Sequence, residues 1–132
     1  MDENAPDSAP SPAESREQLL SAILASDLAM EITAEFDGRR SNGWDVAGAT
    51  RFVLEKFHPA LTSEKDGPVL LLALAALQLR ESALQGVIRD SAIDLIETGE
   101  AENAYLSEDF SQRKAVGAML EQFAQLLSEV KT

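Results

Sequence analysis

The stretch PVLLLALAALQLRES, residues 68–82, carries no charge from Val69 to Leu79 in a chain whose formal charge is −12. A membrane span, a recognition groove and a buried core helix would each need such a run. As a helix the uncharged part reaches only about 16 Å, whereas crossing the hydrocarbon of a bilayer takes about 20 apolar residues. It is also apolar all round, and a helix of that kind must be covered on every side. We therefore read residues 68–80 as a buried central helix.

The segments on either side supply the cover. Downstream, SALQ offers Ser82 and Gln85 as a capping box for a helix reaching about residue 98, with Gly99 as its stop. On that helix Leu84, Val87, Ile88, Ala92, Leu95 and Ile96 share one face, and Asp90, Asp94 and Glu97 lie opposite. A last helix, capped by Ser107 or Ser111, runs to about 130 and places Met119, Leu120, Phe123, Leu126 and Leu127 on one side. Upstream, residues 44–57 form a helix capped by Asn42 or Asp45, which stops at His58 because Pro59 disfavours helical geometry in the residue before it. No period-two alternation of β-branched residues indicates a strand.

The first helix is expected from 12 to about 36, with Ser11, Pro12 and Glu14 as its start signal. Its apolar face does not stay in register. Leu19, Leu20, Ile23 and Leu24 define one side, and from residue 25 the face moves to Ala25, Leu28, Ala29, Ile32 and Phe36. The two sides differ by roughly 160° on a helical projection. Three explanations compete: a break near Ser26 with SDL as an internal cap, cover from another segment such as the C-terminus, or docking of the first half onto a partner or a second copy.

Asp27, Glu31 and Glu35 then form an acidic ladder at i,i+4 spacing. Such ladders are usually solvated faces; the functional alternative is a surface that meets Lys and Arg on a partner. Trp44 projects away from the apolar stripe of its helix, so it either packs under the preceding loop or contributes to a contact site. The candidate partner-binding residues are accordingly Leu19, Leu20, Ile23, Leu24, Asp27, Glu31, Glu35 and Trp44.

The expected architecture is all-α: a compact bundle of about five helices around the buried central helix, one domain over 11–132, with residues 1–10 as a disordered acidic tail. The chain has 23 acids against 11 bases. That balance argues against nucleic acid, whose phosphates need clustered Lys and Arg, and favours a basic protein as partner. No cysteine is present and only one histidine, His58, which reads as a helix C-terminal cap. With no catalytic set, metal-ligand spacing or phosphate-binding glycine pattern, we expect no enzyme activity, no metal and no cofactor. The opening residues resemble no secretion signal, so the cytoplasm is the simplest location, and no membrane contact is expected.

Residues 72–104, LALAALQLRESALQGVIRDSAIDLIETGEAENA, resemble the helix-pair segment of small uncharacterised bacterial proteins. In that segment a LALAxxQ-like run is followed by a polar turn, a Leu, and a helix closing at Gly after an acid-rich end. The shared positions are mainly core ones, among them Leu72, Leu74, Gln78, Leu84, Ala92, Ile96 and Gly99, while a Trp expected after the Gly is absent or stands as Tyr105. The resemblance implies paired core helices and no site residue. The expected function is a non-catalytic acidic protein-binding module, such as a bacterial immunity protein, antitoxin or inhibitor. The alternatives are a structural or regulatory homo-oligomer and a helical bundle that senses a small molecule.

Overall fold

The computed structural model describes residues 12–106 and 113–130. Among them every regular element is a helix: α1 (Pro12–Ile23), α2 (Asp27–Ser41), α3 (Val46–Lys56), α4 (His58–Leu61), α5 (Asp66–Arg80), α6 (Gly86–Glu97), α7 (Glu100–Leu106) and α8 (Arg113–Ser128). The acidic tail, the Ser11 cap and the Ser107 and Ser111 caps all fall outside the described residues.

The greasy run is buried along nearly its whole length. In α5, Leu70, Leu72, Leu74 and Leu77 are fully enclosed, and Leu71 alone among its leucines is half-buried. Each enclosed leucine stabilises the fold by roughly 1.5–3 kcal/mol. Cover comes from α1, α2, α4, α6 and α7, all of which pack directly on α5. The helix starts two residues earlier than expected, at Asp66, because Pro68 falls within the first turn, where a backbone donor is not needed. Gly67 eases the approach: a Cβ at this position would lie 3.0 Å from the Leu61 carbonyl oxygen, so a side chain there would push the end of α4 away from α5 by a few tenths of an ångström.

Among the described residues eight helices replace the expected five or so, and the differences have local causes. The first helix is two. α1 ends at Ile23, and Ser26 caps α2 by accepting a hydrogen bond from the Ala29 amide at 3.2 Å. The break turns α2 so that Ala29, Ile32 and Phe36 reach the core, while Leu20 and Ile23 of α1 reach it from their own side, against α5 and α8. Internal capping and internal cover together account for the change of face.

Asp45 caps α3 by accepting from the Gly48 amide at 2.7 Å. Pro59 does not push His58 out of helical geometry. Phe57 interrupts the helix instead, and His58 opens the short α4 with the proline in its first turn. The capping box at Ser82 and Gln85 does not form. Ser82 takes a left-handed turn conformation with φ 56°, and α6 begins only at Gly86. The Gln85 side chain is occupied elsewhere: Gln78, fully buried, donates to it at 2.7 Å and to the Thr50 hydroxyl at 2.9 Å, and accepts from the Gln85 amide at 2.9 Å. This network fixes the α5–α6 turn and ties it to α3. Gly99, at φ 86°, ends α6 as expected, but the chain re-enters a helix at once to give α7.

Candidate functional site

The eight residues proposed from the sequence do not gather into one surface. Leu20 and Ile23 are buried within the chain and cannot meet a partner. Leu19 and Leu24 are half-buried against the same core. Asp27 and Glu31 are exposed near the start of α2. Trp44 lies at the other end of that helix, its ring beside Arg39, which is about 18 Å from Asp27 at 1.5 Å per residue.

Glu35 is not a free acid. Lys56 donates to its carboxylate at 2.8 Å and Arg39 stands 4.0 Å away. The hydrogen bond from Lys56 is the main reason its pKa falls below the ordinary carboxylate value, against an opposing contribution from burial. Arg40 likewise binds Glu81 at 3.0 Å, and Arg80 pairs with both Asp37 and Glu81. Trp44 is 41% exposed, yet its ring meets Phe52 edge-on at 5.9 Å, and the Arg39 guanidinium lies 4.1 Å from the Phe52 centroid and 5.7 Å from that of Trp44. The end of the molecule where α2, α3 and α5 meet is therefore a charge lattice in which Arg39, Arg40, Lys56 and Arg80 are each matched to an acid.

The opposite situation holds where α6, α7 and α8 meet. These three helices pack on one another and leave a cleft of about 450 Å³. Its apolar lining is Ile96 from α6 with Leu120 and Ala124 from α8, and Gly117 keeps the α8 side low. Around it stand Glu97, Glu102 and Glu121, one from each helix. The Glu102 carboxylate leans over Gly117, since a Cβ there would lie 3.4 Å from its Oε2. Among the described residues none of these three glutamates has a cationic partner. Nor, among the described residues, do three acidic or histidine side chains converge closely enough to hold a metal ion. The carboxylates are spread around an apolar patch, a form that suits an extended cationic side chain with an aliphatic stem rather than a bare cation.

The sequence places Glu97, with Asp90 and Asp94, on the polar side of an amphipathic helix, as a second acidic face, and does not single out Glu102 or Glu121. The one available signal was the acid-rich GEAEN segment after Gly99, which folds as the seven-residue α7. His58 is exposed at the start of α4. No helix among the described residues is long and apolar enough to cross a membrane. In comparisons with known proteins no family model, curated protein or solved structure matches the chain.

Proposed function

We propose that the protein is a non-catalytic binding module that docks a basic, amphipathic segment of another protein in the cleft between α6, α7 and α8. The observation that carries this reading is the set of three glutamates, without cationic partners among the described residues, around an apolar floor: Glu97, Glu102 and Glu121 about Ile96, Leu120 and Ala124. An apolar side chain of the partner fills the floor, and Lys or Arg on the same segment meets the rim. Charge complementarity of this kind raises the association rate and rejects acidic competitors. A small acidic chain that occupies a basic partner in this way has the profile of an immunity protein, an antitoxin or an inhibitor.

The test is calorimetric titration of the full chain with a Leu/Lys amphipathic helical peptide of roughly 15 residues, long enough to form a helix on binding. Binding is expected to weaken as salt rises. The triple variant Glu97→Gln, Glu102→Gln, Glu121→Gln should lose at least about tenfold in affinity, in line with about 1 kcal/mol or less for each exposed charge contact. A charge-matched variant at Glu17, Glu31 and Glu55, all exposed and none lining the cleft, should lose much less. Equal losses in the two variants would show that the net charge alone attracts the peptide, and the reading would fall.

A further inference from the structure

We propose that the protein pairs with a second copy of itself through the outer face shared by α1 and α8, a surface distinct from the acidic cleft. Two adjoining grooves run along the seam between these helices. Their apolar contribution comes from Leu19 of α1 and from Met119 and Leu126 of α8, all half-buried, with Ala115 and Ala118 as small exposed residues between them. The polar contribution is amide and hydroxyl: Ser15, Gln18, Gln122 and Gln125. Arg16 and Glu129, of opposite sign, stand at one end.

The charge pattern selects the occupant. A chain of formal charge −12 repels its own copy, so self-association requires a face that brings no carboxylates together. The central part of the α1/α8 seam meets that condition. A basic partner gains little there, because among the described residues Glu129 is the one carboxylate lining the seam, and Arg16 stands at the same end. Two copies related by a twofold axis place the same uncharged face against itself, the glutamines can donate and accept across it, and small alanines permit close approach of the helices. α1 and α8, of 12 and 16 residues, are about 18 and 24 Å long. Side by side they offer on the order of 500 Å² per copy, at the low end for specific complexes, so the dimer is expected in the micromolar range.

Salt separates this pairing from the docking proposed above, because it acts on the two in opposite directions. Screening weakens capture of a basic segment and strengthens association of two acidic bodies. Sedimentation equilibrium of the full chain should show a species of twice the 14.2 kDa chain mass, with a dissociation constant that falls several-fold between about 50 and 500 mM NaCl. Ala118→Glu and Gln122→Glu, both at exposed positions, should each raise that constant at least tenfold while leaving the far-ultraviolet circular dichroism unchanged. An equimolar mixture of the Ala118→Glu and Ala118→Lys chains should restore the dimer. A wild-type chain that stays monomeric at 100 µM in 500 mM NaCl would overturn the proposal, and so would a dimer that both glutamate variants leave intact. Peptide binding at the cleft is unaffected by either result.

Discussion

Glu81 shows how much one residue's setting depends on chain that lies far away in sequence. It follows the last residue of α5, and its carboxylate receives Arg40 from the end of α2 as well as its neighbour Arg80. The Arg40 hydrogen bond, more than any other contact, lowers its pKa below the usual carboxylate value, although burial works the other way. A carboxylate depressed in the folded state contributes stability that is fully present above its unfolded pKa and is lost as the pH falls through its folded pKa. Glu81→Gln is therefore expected to be less stable than wild type at neutral pH, with the gap closing as the pH falls below the ordinary carboxylate range. Urea denaturation from neutral pH down through that range checks it, and a gap that persists at the acidic end would contradict the assignment. Gln78 teaches a related lesson. In the sequence it is a lone polar residue in an apolar run. Its role becomes visible only when Thr50 and Gln85, 28 and 7 residues away, come within hydrogen-bond distance.

At the scale of helices, what could be read from the sequence was what period and capping alone decide. The all-round apolar run becomes the enclosed α5, and the face switch within residues 12–36 marks the joint between α1 and α2. The short α4 and α7, of 4 and 7 residues, were not legible, because elements of that length give too few turns for a periodic signal and are held by what they pack on. The joint has a measurable cost. Ser26→Ala removes the α2 cap and should destabilise the fold by about 1 kcal/mol, with a denaturant slope like that of wild type. Amides at the start of α2 should exchange faster with solvent in that variant, and those in α5 should slow or quicken only with global stability. The same joint explains why Leu20 and Ile23 failed as candidate contact residues. They read as unmatched only while α1 and α2 are drawn as one rod, and the break lets both faces reach one core.

Across the whole molecule the charges are unevenly matched. Five of the bases, Arg39, Arg40, Arg51, Lys56 and Arg80, come from α2, α3 and the end of α5, and four of these are engaged with acids or aromatic rings. On the α6–α8 side, among the described residues, the one ion pair joins Arg89 to Asp90, and the three glutamates lining the cleft have no cationic partner. Repulsion is thus concentrated on one side. Salt should raise the thermal midpoint by several degrees between about 20 and 500 mM NaCl, as the Debye length shrinks from about 20 Å to a few ångströms. Scanning calorimetry of the Ala118→Glu chain isolates this effect from association. A falling midpoint would mean that the ion pairs at the other end outweigh the repulsion. The composition announced an acidic body, but the cleft was hidden because its three rim residues come from three helices, one of which the sequence did not reveal.

α8 lends Gly117, Leu120, Glu121 and Ala124 to the cleft and Ala115, Ala118, Met119 and Gln122 to the seam with α1, so a single rod only about 10 Å across walls both. Their separate flanks leave room for simultaneous occupancy. Joined back to back along the seam as proposed, two chains would make a divalent receptor with one acidic mouth on each half. A target bearing two basic segments would then be held by avidity, far more tightly than either mouth alone could hold it.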